Sequence, residues 1–254
     1  MSGVRFLIDG LPRTGSTSLA GLLTCHKDIS CIVEPFHPSR YSGQYRRQIR
    51  DIASLRETLN LIWLRWTGIK HIWEAEHIWP FEKLPELNDE IVLYAPAVVS
   101  IERRNLLQRY VSTMLSRRIR FWIGKRAEFL KRMEVVGFPE LCVDHARKSI
   151  EIDKAAIASR RRLLSSHLAV MFVSYEGLFG PRVSDFDRID KVNEIVRFLG
   201  YDALRAGDTL TPEWKSFSDP EHAKWATQEV YERIPGILEL ENKVGADSTG
   251  WLFR

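Results

Sequence analysis

Apolar residues recur along this chain in two rhythms, short unbroken runs and longer stretches at helical spacing. Val4 to Ile8 is a run of the first kind and predicts a buried strand. Ser16 to Leu23 follows, with Leu19, Leu22 and Leu23 at helical spacing. Ile29 to Val33 predicts a second short strand, ended by Glu34-Pro35-Phe36-His37-Pro38, where two prolines require an extended loop. Tyr41 to Gly68 is helical in tendency, with Ile49, Ile52, Leu55, Leu59, Ile62 and Trp66 in phase, and Gly68 stops it. Ile69 to Trp73 predicts a strand that leads into the aromatic loop Ile78-Trp79-Pro80-Phe81. Ala97 to Ile101, bounded by Pro96 and by the charged Glu102-Arg103-Arg104, reads as a buried parallel strand meeting its C-terminal loop. Helices are predicted over Leu106 to Arg120, Asp144 to Leu164 and Asp190 to Leu199, and a last core strand over Leu168 to Val173. Beyond Gly207 the pattern weakens to helical pieces around Pro220 to Arg233 and Ile237 to Val244.

Strands alternating with helices predict an α/β fold, a three-layer sandwich around a mainly parallel sheet. The 254 residues suit one such domain spanning 1–254. In sheets of this kind ligands gather outside the carboxyl ends of the strands. The loop around Arg13, Glu34, Arg104 and Tyr175 all follow predicted strands, so one rim should carry them.

Composition narrows the function classes. A net charge of +4 fits a small polyanionic ligand better than an extended nucleic-acid footprint, so nucleic acid is not expected as a partner. Three cysteines, Cys25, Cys31 and Cys142, lack paired spacing, which argues against a disulfide framework and for a reducing compartment. Cys25-His26 with Cys31 has no fourth ligand at a suitable spacing, so no metal is expected. No apolar run is long enough to span a bilayer and no basic-then-apolar leader precedes Asp9, so the expected location is cytoplasmic.

The stretch with the clearest chemistry is Asp9-Gly10-Leu11-Pro12-Arg13-Thr14-Gly15-Ser16-Thr17-Ser18. A strand, a tight glycine-bearing loop and a helix N-terminus together point free backbone N–H groups at an anion. Gly10 and Gly15 are spaced as in the nucleotide-binding loop G-x-x-x-x-G-K-S/T, but Ser16 stands where that loop has lysine. A second element, Arg104-Asn105 with Ser112 eight residues after Arg104, lies across another strand-to-helix turn.

Together these elements resemble the sulfotransferases that use 3′-phosphoadenosine 5′-phosphosulfate (PAPS). The family's 5′-phosphosulfate loop runs Lys or Arg, Ser or Thr, Gly, then two Ser or Thr, matched here by Arg13-Thr14-Gly15-Ser16-Thr17. Its 3′-phosphate element has an Arg, often followed by Asn or Asp, and a Ser eight positions later, matched by Arg104, Asn105 and Ser112. The proline frequent after that pair is Leu106 here, as in some bacterial and carbohydrate-directed members. Val173-Ser174-Tyr175-Glu176-Gly177-Leu178 is similar to the family's Tyr-Glu-Asp-Leu element beside the adenine, with Gly177 departing from the acidic residue. The motifs lie in the family's order, from about residue 4 to residue 200.

The resemblance implies the nucleotide-loop type of α/β fold, PAPS as donor and PAP as product. It implies that Thr14 to Ser18 hold the 5′-phosphate and that Arg13 stabilises charge on the departing nucleotide. Arg104 and Ser112 would hold the 3′-phosphate, and Tyr175 would meet the adenine. Two residues compete for the role of base towards an acceptor hydroxyl. Glu34-Pro35 is similar to the Glu-Pro of carbohydrate sulfotransferases, in several of which a nearby glutamate is the base. Lys70-His71 is similar to the Lys-Thr-His segment of the aryl and steroid branch, but the histidine is one residue early, which on a strand reverses its face. Glu34 is therefore preferred and His71 is the alternative, with Lys70 expected to line the transfer site. The expected acceptor is a small molecule or glycan, a carbohydrate or glycolipid first. The other classes left open are an NTP-dependent kinase and a non-catalytic nucleotide-binding module sharing the same loop. Neither the acceptor's identity nor the oligomeric state follows from the sequence.

Overall fold

A computed structural model of the chain describes residues 3–38, 40–74, 80–81, 84–122, 126–218 and 227–253. The first apolar run forms β1 (Phe6–Gly10), with all five residues buried, and the helical stretch after the loop forms α1 (Ser16–Thr24). Then come β2 (Cys31–Val33), the four-residue α2 (Gln44–Arg47), α3 (Ile52–Trp63) and β3 (Gly68–Ile72). They are followed by α4 (Pro85–Leu93), β4 (Val98–Glu102), α5 (Leu106–Ile119), α6 (Arg126–Val136), α7 (Val143–Leu164) and β5 (Val170–Ser174). The chain continues through α8 (Tyr175–Phe179), α9 (Asp185–Phe198), α10 (Pro212–Ser218), α11 (Gln228–Glu232) and α12 (Ile237–Val244).

The five strands form one sheet in the order β2-β3-β1-β4-β5, and every pairing is parallel. Because the chain leaves β1 towards one edge and later returns to its other side at β4, a crevice opens at the carboxyl end of β1. Phe6 and Ile8 face α1 and α9, where they pack with Leu19, Leu22, Leu23, Val192 and Ile195. Leu7 faces α3 and α4, packed with Leu55, Leu59, Ile62 and Ile91. Helices on both faces explain why these strands read as continuous apolar runs and not as alternation. A third core joins α5, α6, α7 and α12 through Leu107, Val111, Phe129, Ile150 and Leu240. Among the described residues no helix is long and apolar enough to cross a membrane.

The predicted helical stretch from Tyr41 to Gly68 is broken into pieces. Gly43 turns at φ 67°, and Asp51 begins α3 with a reciprocal cap: its side chain accepts from the Ser54 N–H, and the Ser54 side chain accepts from the Asp51 N–H. The helical phase persists across the break because Tyr45 and Ile49 pack on the same core as Leu55 and Leu59. Helices α4 and α6 were not signalled by the sequence pattern. Of the predicted aromatic loop, Ile78 and Trp79 lie outside the described residues.

One polar contact fixes the top of β1. Asp9, fully buried, accepts two hydrogen bonds from Arg160 of α7, Nε to Oδ2 at 3.0 Å and Nη2 to Oδ1 at 2.8 Å. A fork-to-carboxylate pair of this kind sets direction as well as distance. Removing the cation alone strands a buried carboxylate, so Arg160→Met should lower unfolding stability by about 3–5 kcal/mol. Asp89→Asn, which touches the same guanidinium from an exposed position, should change it by less than about 1 kcal/mol. Urea denaturation of the two variants checks the contrast.

Candidate active site

The loop after β1 is built by sterics first. A Cβ on Gly10 would lie 2.7 Å from the Ile101 carbonyl oxygen, so the loop can approach β4 only with glycine there. Gly15 has φ 83° and no room either, since a Cβ would meet the Tyr175 ring at 2.8 Å. The Thr14 hydroxyl donates to the Leu11 carbonyl at 2.7 Å and closes the turn. Gly15 is the N-cap of α1 and offers no side-chain cap, and the first intrahelical bond is Leu19 N–H to the Gly15 carbonyl. The first-turn N–H groups of Ser16, Thr17 and Ser18 therefore have no intrahelical acceptor, the condition that makes a helix start attract anions.

Arg13 stands in the left-handed region at φ 67°, uncommon for a residue with a side chain. Its Nε donates to Ser112 Oγ at 2.9 Å and its Nη1 to the Trp122 carbonyl at 2.8 Å. Burial and the neighbouring Arg103 charge push its guanidinium down to about 10, still far above neutrality. The two elements singled out in the sequence, 99 residues apart, are thus joined by a direct hydrogen bond. Ser112 is buried on α5, while Arg104 is exposed at the rim.

The start of α5 differs from that of α1. Glu176 accepts from the N–H groups of Arg104 and Asn105 at 3.1 and 3.0 Å, and Asn105 Oδ1 accepts from Gln108 N–H at 2.9 Å. The C-terminal segment supplies the rest: the Thr249 carbonyl accepts from Leu107 N–H at 2.9 Å, and the Trp251 carbonyl from Asn105 Nδ2 at 2.6 Å. The N–H groups of Arg104, Asn105, Leu107 and Gln108 are thus already taken at this helix start. Of the C-terminal stretch Lys243 to Thr249, Thr249 is the residue that touches this element.

Arg103, one residue before the predicted arginine, proves to be the buried one. Its guanidinium lies 4.3 Å over the Tyr175 ring, donates to the Arg13 carbonyl and to Gln108 Oε1, and neighbours the buried Tyr231 hydroxyl. Nothing in the local sequence distinguishes it from Arg104, which follows it. Tyr175 does reach the loop, packed on Gly15 and 5.4 Å from the Phe179 ring.

Glu34 follows β2 with φ 52°, a second side-chain-bearing residue in the left-handed region. It pairs with Lys70 Nζ through Oε1 and accepts from Arg40 Nε through Oε2 at 3.2 Å. Burial raises its carboxyl, but the Lys70 charge and hydrogen bond, with Arg40 behind them, outweigh this and hold it below the usual range. Lys70 is itself pushed down by burial, and Arg40 and Arg13 add to that shift. Successive residues of β3 face opposite sides. Lys70 sits beside Ile8 on the α1 side, and His71 beside Asp9 on the other. His71 is buried, 6.3 Å from the Phe36 ring, and desolvation pushes it down to about 3, so it is neutral at physiological pH. The structure thus brings Arg13, Thr14 to Ser18, Ser112, Tyr175, Glu34 and Lys70 towards one end of the sheet and sets His71 on the opposite face from Lys70.

No protein-family model matches this sequence, and no curated protein does at a significant level. Among solved structures the chain is similar to the crystal structure of mouse sulfotransferase SULT7A1 complexed with PAP, at 15% identity and a TM-score of 0.40, over 97% of this chain and 77% of that one. What fold and site define by themselves is an α/β protein with an arginine-bearing glycine loop at the carboxyl end of its central strand, running into a helix whose first N–H groups have no intrahelical acceptor.

The Glu34–Lys70 pair has a pH signature. A depressed carboxyl contributes stability in full above the ordinary carboxylate range and loses it as pH falls through the depressed folded value. In Lys70→Met, burial acts against Arg40 and the weaker His37 charge only, so the Glu34 carboxyl should titrate higher than in the unaltered protein. A carbon-13 NMR titration of the Glu34 side chain reads this directly.

Proposed function

We propose that this protein is a PAPS-dependent sulfotransferase acting on a hydroxyl, with a carbohydrate or glycolipid acceptor favoured. The observation that carries the reading is the Arg13–Ser112 hydrogen bond, because it ties the loop suited to a 5′-phosphate to the element suited to a 3′-phosphate. An NTP-binding loop of the ordinary kind has its cation after the second glycine; here the position holds Ser16 and the cation is Arg13, inside the loop.

PAPS, when bound, supplies an activated sulfuryl group on its 5′-phosphate. The N–H groups of Ser16 to Ser18 are suited to the phosphate, with the Ser16 and Thr17 hydroxyls beside them. Arg13 carries a planar charge that does not change protonation state near neutrality, fitting it to stabilise negative charge developing at the loop. The exposed Arg104 and the Ser112 hydroxyl are suited to the 3′-phosphate, and Tyr175 to the base. Glu34, held ionised by Lys70 and Arg40, is suited to accept the proton of the attacking hydroxyl. Lys70 keeps that carboxylate charged and adds positive potential beside Arg13.

Calorimetry tests the donor: PAP should bind without magnesium and more tightly than ATP with magnesium, and the reverse order would make the protein a kinase-like NTP binder. Arg13→Ala should weaken PAP binding and reduce transfer by about 10²–10³-fold. Glu34→Gln should leave PAP affinity unchanged and lower turnover by about 10²–10⁴-fold. Unchanged turnover would rule Glu34 out as the base. A screen of labelled PAPS against glycans, lipids and phenols reads the acceptor.

A further inference from the structure

Four consecutive carbonyls, Gly10 to Arg13, are each held, three by donors from the body of the protein and one by the loop's own Thr14. Gly10 accepts from Trp73 N–H at 3.4 Å, and Leu11 from the Thr14 hydroxyl at 2.7 Å. Pro12 accepts from Arg109 Nη1 at 3.1 Å, and Arg13 from Arg103 Nη1 at 3.3 Å. Both arginines are buried, each 6% exposed. Each is fixed by a second partner: Arg109 of α5 pairs with the buried Asp153 of α7, and Arg103 donates to Gln108 at 2.9 Å while lying over Tyr175.

We infer that Arg109 and Arg103 are positioning residues that set the direction of the Arg13 and Thr14 N–H groups, turning the loop's donors outwards to an oxyanion and its carbonyls inwards. In a trans peptide the C=O and the following N–H point in opposite directions. Holding the Pro12 carbonyl therefore sets the Arg13 N–H, and holding the Arg13 carbonyl sets the Thr14 N–H. Leu11 precedes a proline, so its peptide has no N–H to orient, and a neutral threonine hydroxyl suffices there. Of the three peptides that carry an N–H, the two on either side of Arg13 are held by cations, and the Gly10–Leu11 peptide by the Trp73 N–H. A charge-assisted bond is roughly twice as strong as a neutral one, which matters where Arg13 must be kept at positive φ. A peptide flipped the other way would aim a carbonyl at the anion and repel it. The asymmetry also explains the extra buried charge near the loop: Arg103 and Arg109 serve the backbone and leave side-chain contact with the anion to Arg13.

The inference rests on reading the loop as an oxyanion site, and the test separates it from the donor assignment. Amide signals of Arg13 and Thr14 are followed by NMR in the full chain while sodium sulfate, and separately PAP, is added. Because Arg109→Met alone would strand Asp153, the variant used is Arg109→Met with Asp153→Leu, which removes both charges of the pair. Its partner is Arg103→Met. In the first variant the sulfate response of the Arg13 amide should need at least about tenfold more sulfate, with the Thr14 response kept; Arg103→Met should show the reverse. Arg109→Lys, which retains a donor for the Pro12 carbonyl, should restore part of the Arg13 response. Responses equal to wild type in both variants overturn the inference, and so does an equal loss at both amides in either variant, which means general loosening. If the wild-type amides answer sulfate and not PAP, the loop inference stands and the PAPS assignment falls. If they answer neither, both fall.

Discussion

The carboxyl end of the sheet depends on how β1 is turned into α1. Strand β1 is buried on both faces, so the chain leaves it with little lateral freedom and must reverse within five residues. Two of those residues, Arg13 and Gly15, take positive φ, and a third, Thr14, bonds back to Leu11. The turn holds because its surroundings over-determine it. Ile101 leaves room only for glycine at position 10, the Tyr175 ring closes on Gly15, and Arg160 grips Asp9 just before the turn begins. Strain of this kind persists where packing enforces it. Here the packing comes from β4, α7 and α8, all distant in sequence from the loop.

Charge follows the same plan. Arginine appears repeatedly around the loop, but its members do different work. Arg160 neutralises a buried carboxylate, Arg103 and Arg109 hold backbone carbonyls, Arg13 donates to Ser112 and to the Trp122 carbonyl, and Arg104 is exposed at the rim. Near the loop the buried Asp9 and Asp153 and the half-buried Glu34 each face a cation, so no carboxylate there lacks compensation. Around Glu34 the balance tips towards positive charge, with Lys70 and Arg40 on one carboxyl.

The sheet and its order of elements were legible because parallel strands flanked by helices read as short, largely apolar runs between helical stretches. Five such runs became the five strands, each within a few residues of its predicted bounds. The loop was legible for a related reason: glycine spacing reports steric need, and steric need does not depend on partners far away. What was not legible was set by partners. Nothing local separates Arg103 from Arg104; only the direction of the chain leaving β4 buries the first and exposes the second. Arg160 is the first of three consecutive arginines in α7, and Asp9, far away in sequence, is what singles it out. The break at Asp51 was hidden because the pieces on either side share one apolar core and so keep one phase. Glu34 and Lys70 were found separately, but that they pair depends on β2 lying next to β3 in the sheet.

The segment that ends the described chain has a consequence for how the protein is made. Thr249 and Trp251 satisfy donors at the start of α5, more than 140 residues earlier in sequence. A chain emerging from the ribosome can form β1, the loop and much of the sheet while those donors still face water. The rim beside Arg104 and Ser112 reaches its final hydrogen bonding only after Thr249 and Trp251 have been released. The scaffold is thus laid down early in synthesis and the site late, so a partly made chain can be folded through its centre and still be unfinished at its mouth.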